Sequence, residues 1–296
     1  MKKRSEEKRK RKVDILVLSD IHLGTYGCRS KELLNYLRSI SPKHVILNGD
    51  IMDIWQFSKR YWPKTHMKII SQFFKWITNE VQVTYITGNH DEMLRKFEGF
   101  KVGSFHIENK LVLNLKNEKV WIFHGDIFDV TMQHSKWLAK FGAYGYDFLI
   151  LINQVINFIS EFFGKRRISL SRKVKDSVKS AVKFANKFEL TATEIAAENG
   201  YTHVICGHIH KPEIKVYNTR RGIVTYLNSG DWIENLTSLE YNKGKWRIYS
   251  YSDQEFTDTI DVLYRAEEFL SDKTPKELFG RMLQEMSLTT SLKNPK

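Results

Sequence analysis

Five short polar segments each follow a run of apolar residues, and this shared position constrains the fold more than any other feature. In chain order they read SDIHLG, GDIMD, GNHDE, FHGD and GHIH. The runs before them, such as VDILVLS (13–19) and VTYIT (83–87), have the length and composition of buried β-strands. In an open α/β sheet the carboxyl ends of the strands line one edge, where ligands bind. The pattern therefore predicts that residues far apart in sequence gather at one site.

Helical patterns separate the first strands. KELLNYLRSI (31–40) and MKIISQFFKWITN (67–79) have the spacing of amphipathic helices, and HVILN (44–48) between them is a predicted strand. LVLNL and KVWIFHGD, within 111–126, then form a predicted hairpin. Strands that alternate with helices favour βαβ units and a largely parallel sheet.

The pattern changes to helices only after residue 130 and returns to strands near residue 200. We therefore predict four regions: a basic disordered tail at 1–12, a core at 13–130 and 200–251, an inserted helical cap at 131–199, and a C-terminal tail at 252–296. The longest apolar stretch of the cap, FLILINQVINFISEFF (148–163), is shorter than the roughly 20 residues that cross a bilayer, and polar residues interrupt it. It reads as an amphipathic helix with a strongly apolar face.

Two pairs of side chains at strand ends can chelate a metal ion. Asp20 and His22 are two residues apart after the first strand, and His208 and His210 repeat this spacing near the end of the core. On an extended segment such pairs project to the same side, so both members can reach one ion. The ordinary alternative for the first pair is a turn at a strand end that happens to contain histidine, whereas the second pair is a good metal signal by itself.

Single polar residues after other strands complete the set. Alone, Asp50 could form an Asx turn or cap a helix, Asn89 could form a Gly-Asn turn, and His124 could be a core histidine. The occurrence of all five segments at strand ends favours a shared role. The predicted metal ligands are Asp20, His22, Asp50, Asn89, His124, His208 and His210. Seven nitrogen and oxygen donors suit two hard or borderline divalent cations, Mn above all, with Fe, Zn or Mg as alternatives.

The ordered motifs D-x-H, G-D-x-x-D, G-N-H-D, H-G-D and G-H-x-H resemble those of the calcineurin-like metallophosphoesterases. The resemblance covers 13–130 and 200–251 and implies an α/β fold, a four-layer αββα sandwich. It also implies that one metal ion takes Asp20, His22 and His210, that the other takes Asn89, His124 and His208, and that Asp50 bridges them. Two ions roughly 3.5–4 Å apart would activate water and clamp the phosphoryl oxygens.

The same resemblance implies a catalytic role for His90, which would stabilise or protonate the leaving oxygen. We expect Asp91 to hold the ring of His90. Asp53 could begin a turn or orient a neighbour, and it is left out of the ligand set.

The cap narrows the resemblance to the UDP-2,3-diacylglucosamine diphosphatases of lipid A synthesis. In both, a helical cap lies between the fourth and fifth motifs, and here SLSRKVK (169–175) leads into a basic helix. The resemblance implies cleavage of a pyrophosphate to UMP and an acylated sugar 1-phosphate. The cations expected to hold phosphate or headgroup are Arg166, Arg167, Arg172 and Lys175. The best-known members carry Arg where this chain has His90, which matches the general phosphoesterase pattern instead.

A net charge of +13 indicates an anionic partner, either nucleic acid or an acidic membrane surface. The apolar cap stretch beside Lys165 favours a phosphorylated, lipid-linked substrate and a peripheral position on the inner face of a membrane. The ordinary alternative for the cap is a helical hairpin that packs on the core and exposes its charges to solvent. Two cysteines and a charged N-terminus without an apolar leader indicate a cytoplasmic protein. The rival functions are hydrolysis of another lipid-linked or nucleotide substrate, a nuclease, and a non-catalytic interaction module.

Overall fold

The structure is a computed structural model that describes residues 10–54, 61–116, 118–128 and 171–252, with only the backbone described at 171–181. The strands are β1 (Arg11–Leu18), β2 (Ile40–Asn48), β3 (Gln82–Ile86), β4 (Lys101–Val102), β5 (Phe105–Glu108), β6 (Leu111–Leu115), β7 (Glu118–Ile122), β8 (His203–Cys206), β9 (Glu213–Thr219), β10 (Gly222–Asn228), β11 (Thr237–Asn242) and β12 (Lys245–Ser250). The helices are α1 (Ser30–Ser39), α2 (Lys64–Thr78), a 3-10 helix at Glu92–Phe97, and α3 (Ser171–Glu198).

The strands form two mixed sheets. One has seven strands in the order β12-β11-β1-β2-β3-β5-β4, and the other has five in the order β6-β7-β8-β10-β9. The centres of both sheets are parallel, β1-β2-β3-β5 in the first and β7-β8-β10 in the second. All parallel strands of one sheet point the same way, so the loops after them lie at one edge.

Alternation along the strands explains why the two sheets pack face to face. Ile15 and Val17 of β1 join the apolar core between the sheets, whereas Leu16 and Leu18 face the core under α1 and α2. Successive side chains of a strand point to opposite faces, and here both faces are apolar because both are covered.

Helices cover the two outer faces. In α2, Ile69, Phe73 and Trp76 recur at helical spacing and are buried beside the first sheet. In α3, Phe188, Ala192 and Ala196 recur every four residues and are buried against β7, β8 and β10. The layers are therefore helix, sheet, sheet and helix, which confirms the predicted αββα sandwich. The last turns of α3, within the predicted cap interval 131–199, form its fourth layer.

Several predictions on the periphery lie outside the described residues, or change at their boundaries. The cap stretch 148–163, Arg166 and Arg167 lie outside them, as does the C-terminal tail from 253. Arg172 and Lys175 lie in the part of α3 for which only the backbone is described.

The predicted end of the N-terminal tail is wrong by two residues, because β1 begins at Arg11, whose guanidinium pairs with buried Glu240. Within the described residues, no helix combines the length and apolarity needed to span a membrane.

Candidate metal centre

The loops after β1, β2, β3, β7 and β8 bring the predicted donors to one edge shared by both sheets. Three groups of side chains have ligand atoms within 4.8 Å of one another. They are Asp20 with His22 and His210, Asp50 with His124 and His208, and His22 with Asp53 and His90. Six of the seven predicted ligands thus lie in the first two groups.

The first group of side chains, which we call the first donor group, joins the loop after β1, with Asp20 and His22, to the loop after β8, with His210. His210 Nε2 lies 3.2 Å from Asp20 Oδ1, and the rings of His22 and His210 are 5.5 Å apart. Asp20 is fully buried, and its other oxygen accepts the backbone N–H of His208 at 3.1 Å. One carboxylate therefore both fixes the second loop and faces its imidazole.

The second donor group is built around Asp50. His124 Nε2 lies 3.2 Å from Asp50 Oδ2, and the same oxygen is 4.0 Å from His22 Nε2 in the first group. His124 Nδ1 lies 2.9 Å from the carbonyl oxygen of Asn48, and donation to it aims Nε2 at Asp50. Asp50 thus lies between the two groups, a position compatible with a shared ligand.

Asn89 lies in the loop after β3, with its side-chain oxygen Oδ1 buried. The loop approaches Asp50 closely, because the backbone N–H of His90 donates to Asp50 Oδ1 at 2.8 Å. A Cβ at Gly88 would lie 2.3 Å from that oxygen, and one at Gly49 would lie 2.3 Å from the His124 ring. Only glycine permits such approaches.

The backbone at the donors is left-handed rather than extended. Asp20, His22 and Asp50 have φ of 52°, 52° and 54°, and His208 and His210 have 66° and 51°. The expectation that both histidine-containing pairs lie on extended segments is wrong, since β1 ends at Leu18 and β8 at Cys206. Left-handed residues redirect the chain, so His208 and His210 reach different donor groups. Such conformations cost about 1–3 kcal/mol each and cluster at functional sites.

The donor chemistry fits divalent cations. Asp20 Oδ1, His22 Nε2 and His124 Nε2 are buried and make no hydrogen bond of good geometry among the described residues, although Asp20 Oδ1 and His124 Nε2 each lie 3.2 Å from a facing donor atom. Burial would raise the pKa of Asp50, but His124 outweighs it and holds the pKa well below 3.8. Burial likewise would lower the pKa of His124, yet Asp50 raises it well above 6.5. Buried polar atoms rarely stay unpaired, and bound cations would satisfy all three.

Asp53, not Asp91, holds the ring of His90. Asp53 Oδ2 lies 2.9 Å from His90 Nδ1 and 3.5 Å from His22 Nδ1. Burial would lower the pKa of His90, but the hydrogen bond with Asp53 and the charge of Asp50 raise it. The expected pairing of His90 with Asp91 is therefore wrong. The available signal was the motif G-D-x-x-D, in which a second aspartate, Asp53, follows Asp50 by three residues.

Asp91 points into the fold instead. Its side chain is fully buried and accepts the backbone N–H groups of Gly88 at 2.6 Å and Ile51 at 2.9 Å, and the Tyr85 hydroxyl at 2.5 Å. Burial raises its pKa. Asp91 thereby ties the loop after β3 to the loop after β2.

The sequence reading also missed the support behind His210. Asp231 is fully buried, lies 3.9 Å from His210 Nδ1, and accepts the backbone N–H groups of Ile233 and Glu234 at 2.8 and 2.6 Å. Asn235 donates to the His210 carbonyl at 2.8 Å. The signal was the segment SGDW, a further strand end with an acidic residue.

The chain belongs to the calcineurin-like phosphoesterase family, whose model matches residues 13–212. It is 26% identical over 258 residues to a UDP-2,3-diacylglucosamine hydrolase of Aliivibrio fischeri, covering 82% of this chain and 99% of the relative. A protein of the same name from Stenotrophomonas maltophilia is 24% identical over 248 residues, covering 80% and 98%. Among solved structures, the E. coli phosphoesterase Yfce aligns with a TM-score of 0.40 and 11% identity, covering 81% of this chain and 94% of that one.

Family membership makes the chain a metal-dependent phosphoesterase, a hydrolase. The clusters of aspartate and histidine at the shared edge are compatible with the divalent ions that such an enzyme uses.

Proposed function

We propose that this hydrolase holds two divalent ions and cleaves the diphosphate of a lipid-linked nucleotide such as UDP-2,3-diacylglucosamine. The products would be UMP and an acylated sugar 1-phosphate. The observation that carries the proposal is the meeting of two donor groups at Asp50, in a chain whose curated relatives are named UDP-2,3-diacylglucosamine hydrolases over about 80% of its length.

The proposed ligands divide as the donor groups do. Asp20, His22 and His210 would hold one ion, and Asn89, His124 and His208 would hold the other, with Asp50 shared between them. All of these except Asn89, an amide, belong to the two donor groups. Bound there, two divalent ions supply Lewis acidity for an in-line displacement at phosphorus. Mn is the expected metal, because the donors are carboxylate, amide and imidazole, and Fe, Zn or Mg would also accept them.

His90 is the proposed proton donor to the leaving oxygen. Its ring lies 4.6 Å from that of His22, so it borders the first donor group, and its side chain is 31% exposed. Asp53 engages Nδ1 and thereby leaves Nε2 as the nitrogen available to substrate. A donor in this position would assist departure of a poor leaving group without binding metal.

The lipid half of the substrate is proposed from the relatives' printed name and from the cap sequence. Arg166, Arg167, Arg172 and Lys175 remain predicted contacts for phosphate or headgroup, and a peripheral position on an anionic inner membrane surface remains predicted with them. Cations beside an apolar helix suit an amphiphile that carries phosphate.

The test is release of UMP from UDP-2,3-diacylglucosamine with Mn²⁺, comparing the wild type with Asp50→Asn. Asp14→Asn is a matched control, because Asp14 is a part-exposed carboxylate in the middle of β1, paired with Lys43 at 2.6 Å and outside all three groups of ligand atoms. Turnover by the wild type and the control, but not by Asp50→Asn, supports the proposal.

Other outcomes separate the alternatives. Metal-dependent cleavage of bis(p-nitrophenyl) phosphate without turnover of the UDP-lipid would retain a phosphodiesterase and discard the lipid substrate. Binding to DNA that weakens steeply with salt would favour a nuclease. Inactivity on both substrates, with metal bound, would contradict catalysis and leave a non-catalytic interaction module.

A further inference from the structure

Tyr26 follows His22 of the first donor group by four residues, and its ring lies against that of Tyr61. The ring centroids of Tyr26 and Tyr61 are 3.6 Å apart, with 34° between the ring planes. Tyr26 is 82% exposed, the highest value for a large apolar side chain in the described part of the chain. One face of its ring is covered by Tyr61, and most of the remaining ring faces solvent. We call these two residues the tyrosine platform.

The platform is fixed to the loop that carries His22. Thr25, the residue before Tyr26, donates to the His22 carbonyl from its backbone N–H at 3.2 Å and from its hydroxyl at 2.9 Å. Gly24 N–H donates to His66 Nδ1 at 3.1 Å, and the ring of His66 lies edge-on to Tyr61 at 6.0 Å. Tyr26 therefore follows a hydrogen-bonded loop that begins at a proposed metal ligand, and Tyr61 lies against the histidine that this loop contacts.

Packing alone accounts for Tyr61 better than for Tyr26. Tyr61 lies near Cys28, which is buried, and it can shield that side chain from water. Tyr26 lies outside Tyr61 and buries so little of its surface that it adds little to the stability of the fold. A lone exposed tyrosine is ordinary, but one that lies against a second ring, in the loop that carries a proposed metal ligand, presents an aromatic surface that a flat ligand could contact.

The flat shape of the platform suits a nucleobase, and the loop of Tyr26 is the one that carries His22. Every base presents a flat π-face, and stacking on an aromatic side chain strengthens binding by roughly tenfold or more. Because hydrogen bonds already order the loop, little conformational entropy is lost when a base stacks on it. An acyl chain would gain less, since a single flat surface cannot enclose it.

We infer that Tyr26 and Tyr61 stack against the nucleobase of the substrate's nucleotide half, while its phosphates lie at the donor groups. This rests on the proposed function for the presence of a nucleotide. Tyr26 supplies the contact face, and Tyr61 supports it from behind. The platform would thus give nucleotide diphosphates a higher affinity than other phosphoanhydrides without contacting the reacting atoms.

The experiment measures the affinity of the Mn²⁺-loaded protein for UMP and for ribose 5-phosphate by calorimetry. The two probes share ribose and phosphate and differ in the base. The wild type is expected to bind UMP about tenfold more tightly. Tyr26→Ala is expected to remove that preference, Tyr26→Phe to retain it because the ring remains, and Tyr61→Ala to reduce it. The affinity for ribose 5-phosphate and the melting temperature of Tyr26→Ala should stay close to the wild type.

Equal affinities of the wild type for the two probes, or a full preference for UMP in Tyr26→Ala, would overturn the inference. Ile223→Ala, which truncates another exposed apolar side chain on the distant β10, should change nothing. Turnover of the UDP-lipid is scored separately. Turnover without a base preference refutes the platform alone, whereas a base preference without turnover refutes the proposed substrate alone.

Discussion

Two polar clusters at the first sheet contain buried carboxylates, and they differ in how the negative charge is balanced. Glu240 of β11 accepts hydrogen bonds from Arg11 and Arg247 at 2.6 Å and from the Tyr36 hydroxyl at 2.8 Å. Asp20 and Asp50, after β1 and β2, face imidazole nitrogens instead. Arginine charges of the chain itself balance Glu240, whereas the histidines around the two aspartates form clusters that are compatible with bound cations. Burial of a carboxylate therefore completes the fold in one place and belongs to the proposed metal centre in the other.

The largest expected effect follows from removal of a carboxylate from the first donor group, and it tests whether the two clusters differ as described. Asp20→Asn is expected to lower Mn²⁺-dependent cleavage of bis(p-nitrophenyl) phosphate by more than about 100-fold, because losing a ligand should exceed the roughly 10–100-fold cost of losing an outer partner. Metal content by mass spectrometry should fall as well. Mn²⁺ should raise the melting temperature of the wild type over that in EDTA, because it binds only the folded protein, and this rise should shrink in Asp20→Asn.

Glu240→Gln is the matched control for that variant. It should melt lower than the wild type in EDTA yet show the same rise with Mn²⁺, because its cluster binds no metal. An equal rise in Asp20→Asn and the wild type would contradict the proposed ligand set.

The next prediction distinguishes the roles of Asp53 and Asp91, the two aspartates near His90. Asp53→Asn is expected to lower kcat by roughly 10–100-fold, because Asp53 orients both His90 and His22. If His90 donates a proton, the loss should be larger for an alkyl phosphodiester than for a p-nitrophenyl ester, whose leaving group needs no proton. The ratio of kcat for the two substrates measures this.

Asp91→Asn should behave differently, because Asp91 accepts backbone N–H groups and does not hold the His90 ring. We expect a loss of about 1–3 kcal/mol in the free energy of unfolding, with an unchanged ratio of the two substrates. A leaving-group dependence in Asp91→Asn but not in Asp53→Asn would restore the pairing expected from sequence.

A smaller effect is expected at Glu240, where arginine side chains of the chain balance the carboxylate charge. Glu240→Gln is expected to lower the free energy of unfolding by roughly 2 kcal/mol, because Arg11 and Arg247 lose a buried charged acceptor but remain partly exposed. Urea unfolding measures the change, and kcat per metal-loaded molecule should stay at the wild-type value. A fall in kcat would show that this cluster affects the catalytic edge.

The secondary structure was predictable from the sequence where the local pattern of apolar residues is strong. The strands before Asp20, Asp50 and His124 were found because apolar runs of four to eight residues end at glycine or polar residues. β4 and β5 were missed, since Lys101–Val102 is too short and Phe105–Glu108 contains His and Glu. The four layers came from the resemblance, because strand patterns alone do not say which faces meet.

The candidate site was predictable in membership but not in geometry. Residues after parallel strands converge whatever the detail of each loop, which is why the predicted donors lie together. The partner of each donor depends on single backbone angles. Left-handed residues at His208 and His210 direct the two rings to different groups, and Asp91 turns inward while Asp53 meets His90. No periodicity in the sequence encodes such turns.

The smallest effect concerns pH and again uses Glu240. Burial would raise its pKa, but hydrogen bonds from Arg11, Arg247 and Tyr36 outweigh burial and hold the pKa below 4.5. A carboxyl group whose pKa is lower in the folded state stabilises the fold above its unfolded pKa and loses that contribution as pH falls through the folded pKa. The difference in unfolding free energy between the wild type and Glu240→Gln, measured in urea without metal, should therefore be constant from pH 7 to about 5 and shrink below about 4.5. A difference that stays constant down to pH 3 would mean that the charge of Glu240 is not what its partners stabilise, and that packing alone separates the two variants.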